Sequence, residues 1–186
     1  MSSIISSKDE RDFLSNFNKE PIVHQSAFIA NNSNVIGNVE IGEHSSVWFN
    51  CLLRGDGNYI KVGKRTNIQD GSIVHIDSKK FPTHIGDDVT IGHGCIIHAA
   101  TIRSLTLIGM GAIVLDGSEI SSNVIVGAGS LVPPGALLEP GFLYMGSPCK
   151  KVRAINESDY KMIIDTSKDY VDHSRVYKKK YGLRSS

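Results

Sequence analysis

Ile85-Gly86-Asp87-Asp88-Val89-Thr90-Ile91-Gly92-His93-Gly94-Cys95-Ile96-Ile97 decides the reading of the whole chain, because an aliphatic residue returns every sixth position, two places after a small or β-branched one. The period extends back through Val74, Ile68, Val62, Leu53, Val47, Ile41, Val35 and Ile29. It extends forward through Ile102, Ile108, Val114, Ile120, Val126 and Val132, giving seventeen hexads. Ala27, Ser33, Ser45, Cys51, Thr66, Ser72, Thr83, Ala100 and Thr106 are typical of the residue two places earlier, with Ile60 the one bulky exception. Glycine directly follows the aliphatic residue at Gly42, Gly63, Gly86, Gly92, Gly109 and Gly127, where a tight turn is expected to need φ > 0. One hexad cannot bury its own aliphatic residue, but stacked coils line these residues into a continuous interior. The pattern predicts a mainly β protein, a parallel β-helix.

Such repeats resemble the left-handed β-helix superfamily, in which three hexads make one triangular coil, and the handedness follows from that resemblance. The period breaks three times: three extra residues between Leu53 and Val62, five between Val74 and Ile85, and one missing between Ile97 and Ile102. Breaks in a solenoid are surface loops, where function tends to sit. The chain divides into a lead-in over 1–20, a β-helix over 21–135, a Pro/Gly-rich connector over 136–154 and a C-terminal helix over 155–182. That helix is expected to be capped by Asn156 or Ser158, with Tyr160, Ile164, Ser167, Val171, Ser174 and Tyr177 as the stripe packed on the prism.

Twenty basic residues against nineteen acidic ones leave a net charge of +1, which offers no footprint for nucleic acid or a membrane surface. A small-molecule substrate and copies of the chain itself are the expected partners. No run reaches the ~18–20 apolar residues that span a bilayer, and Lys8 to Asp12 are charged where a signal peptide needs an apolar stretch. A cytoplasmic protein is expected. Cys51, Cys95 and Cys149 fit neither a disulfide framework nor a Cys-x-x-Cys metal knot.

Counting corners instead of residues stacks hexads three apart, one interstrand spacing of ~4.8 Å between them. Arg54, His75 and His98 then share one outward column, and His93 stacks over Asp70 on another edge, with Gln69 alongside. If identical prisms meet around a threefold axis, His93 of one reaches the His75/His98 edge of the next. Three neutral imidazoles with open remaining positions suit a zinc-type catalytic centre, in which bound water is acidified toward pKa ~7. Asp56 and Asp70 are available to orient the ligands.

Arg54-Gly55-Asp56, Asn67-Ile68-Gln69-Asp70-Gly71-Ser72, His75, Gly92-His93 with His98 five residues on, and Gly146-Ser147-Pro148 together resemble the γ-class carbonic anhydrase family over residues 20 to 155. The resemblance implies a homotrimer with Zn2+, or Fe2+ or Co2+, at each interface, held by His75, His93 and His98. It implies reversible hydration of CO2 to bicarbonate by a metal-bound hydroxide. Among the catalytic residues, Arg54 and Asp56 look like an interfacial salt bridge, and Asn67 and Gln69 look like residues that hydrogen-bond water or substrate. Tyr144 is expected to border the pocket. Active members carry a Glu after the Arg-x-Asp acid and an acidic loop after the first ligand; this chain has Gly57 and a basic loop, Ile76 to His84, in which Asp77 or His84 could carry protons. Two other readings are an acyltransferase using acyl-CoA, suggested by the tail from Gly146 to Arg153, and a non-catalytic metal-binding trimeric scaffold.

Overall fold

The hexads fold as their period requires. The computed structural model describes residues 8–181, which form a left-handed parallel β-helix with a helix at each end. The aliphatic residue of each hexad points to the prism axis, so Val47, Leu53, Ile68, Val74, Ile91 and Ile97 lose all contact with solvent. The small residue two places earlier ties coil to coil. Ser45 Oγ donates to the Gly63 carbonyl at 2.6 Å and accepts from Thr66 N at 3.0 Å, and Ser72 Oγ repeats this with Gly92 O and Cys95 N. Corner backbone groups that would otherwise be buried unpaired are thereby satisfied.

The corners differ from the sequence expectation in one respect. The left-handed residue is not the glycine after the aliphatic residue but the position three after it, as at His44 (φ 58), Arg65 (φ 51) and Asp88 (φ 55). The glycines serve close stacking instead: a Cβ on Gly42 would lie 2.5 Å from the Gly63 carbonyl oxygen of the next coil.

Parallel ladders make three faces. The first carries Ile73–His75, Ile96–His98, Ile113–Val114 and Leu131–Val132 above the opening residues of Leu52–Val62. The second carries Thr83–Ile85, Thr101–Ile102, Glu119–Ile120 and Leu137–Leu138 above the end of that same long strand, which bends around the corner and joins the two faces into one sheet. The third runs from Phe28–Ile29 through Ser46–Val47, Asn67–Ile68 and Thr90–Ile91 to Phe142–Gly146.

Two segments differ from their sequence reading. Within the stretch taken as a lead-in, α1 (Lys8–Phe17) packs beside the Gly55–Gly57 bend, where Asn16 Nδ2 donates to Gly57 O and Asn38 Nδ2 donates to Asn16 Oδ1. The stretch taken as a connector continues the prism: Leu137–Leu138 and Phe142–Gly146 add rungs, and Cys149–Ala154 folds back antiparallel on the latter. Pro133-Pro134-Gly135 is one more corner, with Gly135 at φ 69.

The C-terminal helix α2 (Glu157–Tyr181) is capped by Asn156, whose Oδ1 accepts from Asp159 N at 2.9 Å while Asp159 Oδ2 accepts from Asn156 N at 2.8 Å. It lies on the third face and buries Ile163, Ser167, Val171 and Ser174; Tyr160, expected in that stripe, is exposed. Trp48 is enclosed by Tyr170 and Tyr177 of α2. No helix among the described residues is long and apolar enough to cross a membrane.

Candidate metal centre

Register settles which histidines meet. Val74 pairs with Ile97 and His75 with His98, so their outward imidazoles stand one coil apart at the corner between the first and second faces. His75 Nδ1 faces His98 Nε2 at 3.2 Å. The other nitrogen of each ring is held by a carboxylate: His75 Nε2 lies 3.2 Å from Asp56 Oδ1, and His98 Nδ1 contacts Asp116 Oδ1. Arg54 Nη1 in turn donates to Asp56 Oδ2. Burial pushes the Asp56 carboxyl up, but hydrogen bonds and charge from Arg54 and His75 outweigh it and hold the group below 3.8. Burial lowers the His75 pKa below 6.5, aided by the Arg54 and His98 charges and opposed by Asp56.

This geometry fits a cation. With both carboxylates ionised, each accepts an N–H from its histidine, so each neutral ring turns a bare lone pair toward the other. Two lone pairs at that separation repel unless a cation lies between them. Imidazole nitrogens on one tetrahedral zinc at ~2.0–2.1 Å stand about 3.3 Å apart, close to the gap observed.

A second cluster sits at the corner between the third and first faces. His93 Nδ1 lies 3.0 Å from Asp70 Oδ2, one coil below it. Beside it, Asn67 Nδ2 donates to Thr90 Oγ1 at 2.9 Å and Gln69 Nε2 donates to Asn67 Oδ1 at 3.0 Å; both amides are buried. Within one chain the two clusters stay apart. Among the described residues no three His, Cys, Asp or Glu side chains converge on one cation position.

Three residues considered from sequence lie elsewhere or are otherwise engaged. Tyr144 is the inward residue of the last coil, in register with Val126, and its hydroxyl accepts from Glu139 N, so it belongs to the core and not to a pocket. Asp77 Oδ1 accepts from Lys79 N and Lys80 N, and those bonds hold its carboxyl below 3.8, which makes it a poor proton acceptor. His84 stands on the second face, in register with Lys61 and Thr101. The absent Glu after Asp56 has a steric counterpart: a Cβ on Gly57 would lie 2.3 Å from Ser78 Cβ, because the basic loop fills that space.

Sequence reasoning missed two features. One is Asp116. The other is an apolar ladder in the outward position just before each buried aliphatic residue of the first face: Leu52, Ile73, Ile96, Ile113 and Leu131 lie in register. The same position on the second face holds Glu40, Lys61, His84, Thr101 and Glu119 between Ile22 and Leu137 at its two ends, and on the third face α2 packs over Phe28–Ile29, Ser46–Val47, Asn67–Ile68 and Thr90–Ile91. Ile73 and Ile96 remain 41% and 38% exposed, an uncovered apolar stripe of the kind that marks an interaction surface. Reading the hexads by their outward positions would have exposed it. The two histidine clusters flank this stripe, one at each edge of the first face.

Comparison with known proteins follows the same lines. A family model described as Dynactin subunit 5 matches residues 9–178. The Arabidopsis thaliana protein named gamma carbonic anhydrase 2, mitochondrial, is 39% identical over 172 residues, which are 90% of this chain and 62% of that protein. The chain therefore spans less than two thirds of the length of that relative. A carbonic anhydrase of Geobacillus kaustophilus is 44% identical over 168 residues, covering 90% of this chain and 92% of its own length. A crystal structure of a putative acetyltransferase from Bacillus cereus matches with a TM-score of 0.85 at 40% identity, over 87% of this chain and 94% of the other.

Proposed function

The chain belongs to the γ-class carbonic anhydrase family and to the dynactin subunit 5 sequence family, and on that premise we propose that it is a carbonic anhydrase-type lyase. In this reading three copies close into a ring and interconvert CO2 and bicarbonate at each interface. Zn2+, Fe2+ or Co2+ is held there by His75 and His98 of one copy and by the neighbour's equivalent of His93. The observation that carries this is the His75/His98 pair, whose facing nitrogens are both left as acceptors by Asp56 and Asp116.

Symmetry supports the ring. A ring of parallel prisms about a threefold axis sets the His93 edge of each copy against the His75/His98 edge of the next. A twofold whose axis runs across the prisms would set His93 against His93 and leave the pair without a third ligand. Triangular prisms, each turning one apolar face inward, suit three.

When bound, the cation acts as a Lewis acid that brings the pKa of water toward ~7. The chain's own residues prepare the setting. Asp56 and Asp116 accept the far N–H of His75 and His98 and so turn the opposite nitrogen of each ring toward the cation position, and Arg54 keeps Asp56 charged, so that it accepts a hydrogen bond without taking the proton. The Thr90–Asn67–Gln69 relay fixes the Gln69 amide and leaves its carbonyl oxygen and second N–H for a water or a CO2 oxygen. With Ser78 filling the space beside Gly57, no carboxylate can stand there to export protons, so buffer is expected to limit turnover.

The test is cation stoichiometry together with stopped-flow CO2 hydration on protein loaded with zinc, cobalt or, anaerobically, iron(II). One cation per chain and buffer-dependent hydration are expected, with both lost in His93→Ala. Wild-type protein that takes up none of the three metals overturns the reading. An acyltransferase is favoured by one observation, the described role of the Bacillus cereus neighbour. Calorimetric titration with acetyl-CoA separates the two, since a lyase of this type gives no binding heat.

A further inference from the structure

Asp116 has one recorded side-chain partner among the described residues, His98. Its counterpart Asp56 is buried and shared between Arg54 and His75, whereas the Asp116 side chain is 44% exposed and, among the described residues, is paired with no Lys or Arg. An exposed aspartate with a single partner is usually free to swing into water, so what fixes this one must lie in the backbone. Gly117 follows it in the left-handed region (φ 66), and Gly117 N donates to Ala99 O at 2.8 Å. The Asp116 carbonyl accepts from Gly135 N at 2.8 Å in the coil above. Phe81 of the inserted loop closes the corner from outside, since a Cβ on Gly117 would lie 2.9 Å from its ring. The carboxylate is thus presented to His98 by a corner pinned from below, above and outside.

A parallel at the other edge supports a designed pairing. His93 and Asp70 each immediately precede the left-handed residue of their turns, Gly94 and Gly71, and they are in contact. His98 and Asp116 likewise immediately precede Ala99 and Gly117, and they are in contact too. Both histidine–aspartate pairs join successive coils at the same stage of the turn.

We propose that Asp116 is a positioning residue: it holds His98 as the Nδ1–H tautomer and so dedicates Nε2 to the cation. Carboxylates that accept the far N–H of a ligating histidine fix ring orientation and raise ligand basicity, and losing one typically lowers metal affinity 10- to 100-fold. The inference rests on the metal reading above but is separable from it. Two measurements on the full-length chain test it. In metal-free protein, long-range 1H–15N correlation spectra of the imidazoles report the His98 tautomer directly, with His98→Ala identifying the signal. Wild type is expected as Nδ1–H, and Asp116→Ala is expected to move the ring toward Nε2–H, the form favoured by a free imidazole.

Titration with Co2+ is expected to show affinity falling 10- to 100-fold in Asp116→Ala and largely recovered in Asp116→Asn, whose amide oxygen can still accept the N–H. A merely structural role for Asp116 would not move the tautomer. If His98→Ala leaves Co2+ binding unchanged, the metal reading itself fails. If His98→Ala abolishes binding while Asp116→Ala changes neither tautomer nor affinity, only the positioning role is overturned.

Discussion

Replacing Ile73 and Ile96 together by serine should dissociate the protein without unfolding it. Both side chains point away from the prism axis, so the interior of each chain is untouched. They keep 41% and 38% of their surface exposed in the single chain, roughly 70 Å2 apiece. Covering both contributes about 3–4 kcal/mol per chain at ~25 cal/mol/Å2, and about 10 kcal/mol for a ring of three. Half-assembly of a trimer depends on the square root of its dissociation constant, so the concentration required should rise by three to four orders of magnitude at ~1.4 kcal/mol per tenfold. Sedimentation velocity over a dilution series reads this directly: wild type at three times the 20.2 kDa chain mass, the double variant at one. Circular dichroism should be unchanged, and Co2+ affinity should fall although every histidine is intact. A wild-type protein that sediments as a monomer would refute the reasoning, as would a serine variant that stays assembled to the same dilution.

Gly57→Ala should destabilise the fold by about 1–3 kcal/mol, the usual penalty for overpacking, because the new methyl would lie 2.3 Å from Ser78 Cβ and 3.0 Å from Ser78 Cα. Thermal melts should show a lower Tm, partly restored by adding Ser78→Gly; an unchanged Tm would remove the steric account of the missing carboxylate. Burial lowers the His84 pKa, with the Arg103 and Lys61 charges acting the same way and Asp87 opposing, and burial lowers His75 likewise. Between those depressed values and 6.5 the unfolded chain binds protons that the folded chain does not, so stability of the metal-free protein should fall as pH drops through 6.5. Denaturant midpoints at pH 7.5 and 5.5 should differ in that sense, less so in His84→Gln, and equal midpoints would contradict the shifts.

Much of the prism was legible because hexad spacing is a rigid code. Once the period is read, Val74 over Ile97 and His75 over His98 follow by counting corners, and the register agrees. Other parts were hidden for identifiable reasons. In α1, the apolar Phe13, Leu14 and Phe17 are too few to outweigh the charged run before them. From 136 to 154 the proline and glycine content suggested a connector, yet Pro133-Pro134-Gly135 fills the slots every earlier corner uses. Gln69 and Asn67 were legible as a pair, but only coordinates show Thr90 completing their relay. Asp116 escaped because strict column counting sets Leu115 above His98.

The three breaks in the period share one physical location, and that accounts for where the histidine pair lies. All fall at the corner between the first and second faces, in successive coils: after Leu53, after Val74 and after Ile97. At six other corners the coils stack closely on a glycine directly after the aliphatic residue, at Gly42, Gly63, Gly86, Gly92, Gly109 and Gly127. Extra residues lengthen this corner in the lower two coils, where Arg54 and His75 directly follow Leu53 and Val74. The residue missing from the third coil has the opposite effect. It makes Ala99 the left-handed residue, two places after Ile97 instead of three, and leaves His98 immediately before the turn, the stage that Asp116 occupies before Gly117. The irregularities are therefore concentrated at the one corner that carries two stacked imidazoles and their carboxylates.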